Sequence, residues 1–265
     1  MRRVAVIGDV GGHLDELRRE LRNLGADDEG RLPADLVVVQ VGDLVHRGPD
    51  SDGVVALVDH YLVTAPNQWI QLIGNHEVNY LRGPQFWWGD LISRSSRRRL
   101  RRWWRRGQLR TAVAIETDGE QFLVSHAGVT EQFWREHLGA PVSAREAAAR
   151  INRLARVGCD TLFGAGRMLD GEGPNPMAGP LWAHRSGELV PGWCGRSMPF
   201  SQIHGHSGSH GPCDEPATVY DAVAHHEVTS FEGGRLIGID PGHLGRATQQ
   251  WAAFVLPDAV VPGVD

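Results

Sequence analysis

The sequence contains no lysine: all 27 basic residues are arginine, set against 32 acidic ones for a net charge of −5. That balance excludes a globally basic nucleic-acid binder and leaves room only for a local patch. Cysteine is almost as scarce. Cys159, Cys194 and Cys213 are odd in number, far apart and form no C-x-x-C pair. This argues against a disulfide framework or a zinc knuckle and suits a reducing compartment. Long apolar runs are missing too. Met1-Arg2-Arg3 is followed by only four apolar residues before Gly8-Asp9, too few for a signal peptide or a membrane span. A soluble cytoplasmic protein with no membrane partner is expected. Nor is there an internal repeat or a long linker. With 265 residues, 41% of them apolar, the chain suits one α/β domain over residues 1–257, followed by a loose tail at 258–265.

What is present begins with strands and helices in alternation. Apolar runs near 3–8, 36–41 and 69–73 read as buried strands. Leu14, Leu17, Leu21 and Leu24 recur at three- and four-residue steps and predict a helix ended by Gly25, and Asp52–Val63 predicts a second. Strand, helix, strand, helix, strand is the pattern of a parallel sheet with right-handed crossovers. After residue 110 the period changes to two. Thr111–Glu116 and Gln121–Ser125 flank Asp118-Gly119 as a hairpin. Helices are expected at Glu131–Leu138 and Ala144–Val157, an irregular loop over Gly164–Gly195, and a strand at Phe200–Ile203. A last hairpin is expected around Gly233-Gly234, and a closing strand at Gln250–Leu256. Two facing sheets flanked by helices satisfy both halves.

Each of the first three strands ends in glycine followed by a polar residue: Gly8-Asp9, Gly42-Asp43 and Gly74-Asn75-His76. Ligands collect at the carboxyl ends of strands in open α/β sheets. Later strand-like runs end in His126 and in His204-Gly205-His206. Hard divalent ions want oxygen, whereas imidazole suits manganese, iron or zinc. Asp9, Asp43, Asn75, His126 and His206 therefore read as a transition-metal hydrolase centre. Two ions about 3.5–4 Å apart sharing one carboxylate would activate a water for attack on phosphorus.

The blocks Gly8-Asp9, Gly42-Asp43-Leu44-Val45-His46-Arg47-Gly48, Gly74-Asn75-His76-Glu77, Ser125-His126-Ala127-Gly128 and Gly205-His206 resemble those of the calcineurin-like metallophosphoesterases. Within these the phosphoprotein phosphatase branch, with its bacterial diadenosine-tetraphosphatase-like members, is the nearest. The resemblance covers about residues 3–245 and implies a two-sheet sandwich flanked by helices. It also implies two divalent ions, Mn²⁺ by preference with Fe or Zn as alternatives, and in-line attack by a hydroxide that bridges them. By position, Asp43 would bridge the ions, Asp9 would bind the first, and Asn75, His126 and His206 the second. His76 would sit beside them as general acid toward the leaving oxygen or as an electrostatic stabiliser. Arg47 and Arg185 would clamp the phosphate, with a surface position as the other reading of Arg185.

Two positions depart from the family pattern. The metal-binding His expected two residues after Asp9 is Gly11 here, and the nearest imidazole is His13, read either as a replacement ligand or as a solvent-facing helix start. The Asp that usually orients the catalytic His is His46, which can hold His76 by hydrogen bonding but brings no negative charge. Glu77, adjacent to His76 on what reads as extended chain, is expected to point elsewhere. His204 is expected to support the site rather than ligate, and Asp240-Pro241-Gly242 to form a supporting turn.

Nine arginines lie between Arg94 and Arg110, interleaved with Trp103 and Trp104, inside a segment (83–110) that looks inserted. One reading is a lid that contacts a nucleotide or RNA. The other is an amphipathic helix that packs Leu100, Trp103 and Trp104 inward. The function expected is a metal-dependent phosphoesterase acting on a phosphoprotein, a dinucleoside polyphosphate or a small phosphoester. The alternative is a nucleic-acid- or partner-binding protein with a decayed metal site.

Overall fold

Alternation along β1 (Arg3–Ile7) decides the layering. Val4 and Val6 point to one face while Ala5 and Ile7 point to the other, and all four are buried, as side chains on successive strand residues must. The computed structural model describes residues 2–89, 91–164, 166, 169, 173–208, 218–243 and 251–263. In the first sheet, β1, β2 (Leu36–Gln40), β3 (Trp69–Leu72) and β4 (Leu109–Arg110) run parallel. Strand β11 (Phe254–Pro257) pairs antiparallel with β1, giving the order β11-β1-β2-β3-β4. The second sheet comprises β5 (Ala112–Glu116), β6 (Gln121–Ser125), β7 (Ser201–His204), β8 (Thr218–Asp221), β9 (His226–Phe231) and β10 (Gly234–Gly238). Their order is β5-β6-β7-β10-β9-β8, and β7 is parallel to both of its neighbours.

Val4, Val6, Val37, Val39, Ile70 and Leu72 from the first sheet meet Val113, Ile115, Phe122, Val124, Ile203 and Ile237 from the second. Each such aliphatic side chain, fully buried, contributes about 1.5–3 kcal/mol relative to exposure. The outer face of the first sheet is covered by α1 (Leu14–Asn23), α2 (Ser51–Thr64) and α4 (Arg94–Arg105), through Leu17, Leu21, Val54, Val58, Leu100 and Trp103. On the second sheet, α5 (Glu131–Glu136) and α6 (Ala144–Arg156) do the same through Phe133, Ala147 and Ile151. The expected two-sheet architecture flanked by helices is the one observed.

Differences are local. A helix the sequence reading did not expect, α3 (Asn75–Leu81), starts at once after β3 with Gly74 as its N-cap. Strands β4 and β8 were too short or too polar to stand out. The Gly164–Gly195 stretch is not all irregular, because a π-helical turn at Arg185–Leu189 runs into a one-turn helix at Val190–Trp193. Over residues 258–263 the chain after Pro257 is packed: Ala259 and Val261 are buried between the sheets, and Val260 exchanges two 2.9 Å backbone hydrogen bonds with Glu116. Gln250, His210 and Cys213 lie outside the described residues; Cys159 and Cys194 are free. No helix among the described residues is long and apolar enough to cross a membrane.

Candidate metal centre

Strands β1, β2 and β3 deliver Asp9, Asp43 and Asn75 to one end of the first sheet, while β6 and β7 deliver His126 and His206 from the second. Ligand atoms of Asp43, His126 and His206 all lie within 4.8 Å of one another, and all three residues are buried. Asn75 Oδ1 stands 2.8 Å from His126 Nε2 and 3.0 Å from His206 Nδ1. Asp9 is tied in through its Oδ1, which accepts from His206 N at 3.0 Å. Likewise Asp43 Oδ1 accepts from His76 N at 3.0 Å and lies 3.5 Å from His126 Nε2. Residues separated by up to 197 positions therefore share one pocket.

Close approach explains the glycines. A Cβ on Gly74 would sit 2.1 Å from Asp43 Oδ1, and one on Gly205 would sit 2.1 Å from Asp9 Oδ1. The backbone is also held in unusual conformations: Asp43 (φ 53°), His46 (74°), Arg47 (68°) and His206 (65°) are left-handed without being glycine. Such positions each cost about 1–3 kcal/mol and concentrate at functional sites.

The donor set fits divalent cations. His126 Nδ1 donates to Val41 O at 3.1 Å, so Nε2 carries a lone pair toward Asn75 Oδ1 and Asp43 Oδ1. Acceptors converging in this way are what a bound cation resolves. His206 Nε2 is buried with no hydrogen-bond partner among the described residues. Burial, and for His206 also the neighbouring His126, pushes both imidazoles down from their ordinary range, toward the neutral form that binds metal. Burial, then Asp240 and Asp43, pushes the Asp9 carboxyl well up; a cation beside these three acids would remove that penalty.

His76 Nε2 lies 3.8 Å from Asp43 Oδ2. Its ring is flanked by Phe86 and Trp88, with centroids 5.1 and 5.0 Å away. His46 occupies the orienting position: its Nδ1 is 2.8 Å from His76 Nδ1, its Nε2 is 2.5 Å from the Tyr80 hydroxyl, and Trp88 stacks on it at 5.3 Å. Burial, then the neighbouring His76, lowers the His46 imidazole to about 3, so it is neutral at ordinary pH. Exposed Arg47 sits over the Trp88 ring at 5.7 Å.

Some expected residues are engaged in other contacts. His13 occupies the position before the first turn of α1 without a capping side-chain hydrogen bond and stacks on His243, centroids 4.4 Å apart, with its Nδ1 3.9 Å from Glu16. Arg185 is not a surface residue, since it is fully buried. Its Nε pairs with Glu227 at 2.8 Å, and its terminal nitrogens meet Thr229 Oγ1 (2.6 Å) and His204 Nε2 (3.1 Å). In this arrangement the guanidinium has no open fork for a phosphoryl group. His204 is buried in β7. The arginine-rich segment is an amphipathic helix. Leu100 and Trp103 are fully buried, while Arg99, Arg102 and the Trp103 indole converge on Asp59.

Three contributors escaped the sequence reading. Glu77 is fully buried, and its Oε2 accepts from Asp43 N and Gly74 N while Oε1 accepts from Leu44 N, all at 2.8–2.9 Å. It thereby holds the Asp43 turn. Burial, then the Asp43 charge, pushes its carboxyl up to about 8 against the pull of those N–H groups. The signal was available: glutamate three residues after a helix-starting glycine is an N3 capping residue. Tyr80 and His243 had no comparable local mark.

A pair of sheets whose tips gather buried acids and imidazoles is an arrangement suited to holding metal ions. The chain belongs to the calcineurin-like phosphoesterases, whose family profile matches residues 2–166. It is 36% identical over 72 residues to a zinc-dependent endopolyphosphatase of Saccharomyces cerevisiae, covering 27% of this chain and 20% of that protein. It is 40% identical over 76 residues to serine/threonine-protein phosphatase 1 of Salmonella typhimurium, covering 29% of this chain and 30% of that one. The matches thus span less than a third of either relative. In fold it is similar to the cold-active protein-tyrosine phosphatase of a psychrophilic Shewanella species. The TM-score is 0.57 and the identity 14%, over 97% of this chain and 75% of that one.

Proposed function

We propose that this phosphoesterase hydrolyses phosphate esters with two divalent ions, Mn²⁺ foremost. Asp9 and Asp43 would hold the first, and Asp43, Asn75, His126 and His206 the second. The first ion also wants an imidazole, for which the sequence offers His13. The observation that supports this most is the convergence of Asp43, His126 and His206 within 4.8 Å around the Asn75 amide oxygen. When bound, the ions supply positive charge to the phosphoryl oxygens and make a water acidic enough to attack phosphorus. His76 donates a proton from Nε2 to the leaving oxygen, because its Nδ1 is engaged by His46. Arg47, exposed beside Trp88, receives phosphoryl oxygens through its fork. Phe86, Trp88 and Trp182, packed on His76 and His206, keep bulk water from the imidazoles.

Phosphoproteins and dinucleoside polyphosphates are the proposed substrate classes, with small monoesters third. The names of the two curated relatives, an endopolyphosphatase and a protein phosphatase, support that range. The test is hydrolysis of p-nitrophenyl phosphate with and without Mn²⁺ by the wild-type chain and Asp43→Asn. Metal-dependent turnover lost in the variant is expected. No turnover with any divalent ion, together with salt-sensitive RNA binding, would establish the binding-protein alternative instead.

A further inference from the structure

We infer that His243, from the turn after β10, supplies the imidazole that Gly11 withholds from the Asp9 side of the centre. This rests on the two-ion reading above. A Cβ on Gly11 would lie 3.3 Å from His243 Cδ2, so a side chain at position 11 would project onto this ring. The imidazole from the far end of the chain thus fills the sector left open by glycine. Its Nε2 lies 3.0 Å from Asp9 O, and donation there leaves the lone pair on Nδ1. His126 uses the same device with Val41 O, and ligating histidines commonly give their other N–H to a carbonyl or carboxylate.

The rest of the turn agrees. Ile239 N donates to His204 O, which fastens the end of β10 beside the strand that carries His206. Asp240 closes the turn by accepting from Gly242 N at 2.8 Å. Its charge and that of Asp43 both bear on the Asp9 carboxyl, whose backbone oxygen His243 meets. His13 stacks on the His243 ring and braces it, which assigns His13 a supporting place rather than a ligand's.

Metal content and Mn²⁺ paramagnetic resonance of the purified full chain test this without reference to turnover. Wild type should hold two ions and show a coupled Mn²⁺ pair. His243→Ala should hold one, with the isolated-ion spectrum, and affinity for the lost ion should fall by more than the ~10–100-fold typical of losing an outer-shell partner. Gly11→His combined with His243→Ala should restore the second ion. Histidine tolerates a left-handed position better than most residues, and the double variant removes the ring it would strike. Recovery also separates lost ligation from misfolding. His13→Ala should keep two ions. Two ions retained in His243→Ala, or an ion lost in His13→Ala alone, overturns the assignment. A wild-type chain that binds no divalent ion overturns the two-ion reading itself.

Discussion

Replacing His46 by aspartate should move the pH–rate profile, and the direction follows from the contacts. His46 Nδ1 and His76 Nδ1 are 2.8 Å apart, so one proton lies between them. The Tyr80 hydroxyl at His46 Nε2 donates there when His46 carries its proton on Nδ1. That proton is then given to His76, whose own proton sits on Nε2, facing Asp43. Because burial and His76 keep His46 neutral, the pair adds no charge to hold His76 protonated, and burial lowers the His76 imidazole. An aspartate there would favour the imidazolium and raise its pKa. A group whose protonated form is favoured loses its proton at higher pH, so the alkaline limb of kcat for p-nitrophenyl phosphate should move up. Tyr80→Phe, by contrast, keeps all charges and deletes one hydrogen bond worth ~1 kcal/mol, about fivefold in kcat if it acts mainly through His76. Profiles of His46→Asp and wild type that superimpose, with Tyr80→Phe indistinguishable from wild type, would refute the relay.

Asp59→Asn tests the packing of the arginine helix. Burial acts to raise the Asp59 carboxyl, but hydrogen bonds from Trp103, Arg102 and Arg99 outweigh it and the net shift is down. A depressed pKa stabilises the fold above the unfolded value of about 3.9 and ceases to do so as pH falls through the folded value. Urea titrations at pH 7 should show a loss of about 1–2 kcal/mol, reduced by partial exposure, and the difference from wild type should shrink toward pH 3. Equal stability at pH 7 would show that these arginines are solvated rather than paired. Gly74→Ala should lower stability by about 1–3 kcal/mol, because the new methyl meets Asp43 at 2.1 Å. It should also reduce metal content, and a variant with wild-type melting temperature and metal content would mean the Asp43 turn yields freely.

What was legible in the sequence is what one segment can announce alone. A buried parallel strand reads as an apolar run, and its end as glycine and a polar residue, so Asp9, Asp43 and Asn75 could be named from three local patterns. The helix faces were visible by their period for the same reason. Pairings across the chain were not. Arg185 reads as a phosphate clamp or a surface residue until β9 brings Glu227 against it. Glu77 reads as pointing away until Gly74 starts a helix that turns it under Asp43. Left-handed backbone at Asp43, His46, Arg47 and His206 was hidden because the usual mark of that conformation is glycine or asparagine. These four residues adopt it without being glycine, and all four are in or beside the proposed catalytic pocket. Strain of about 1–3 kcal/mol at each is tolerable only while the surrounding core remains intact. A destabilised core should therefore distort this pocket before it melts the sheets, and metal affinity should fall in core variants whose secondary structure is unchanged.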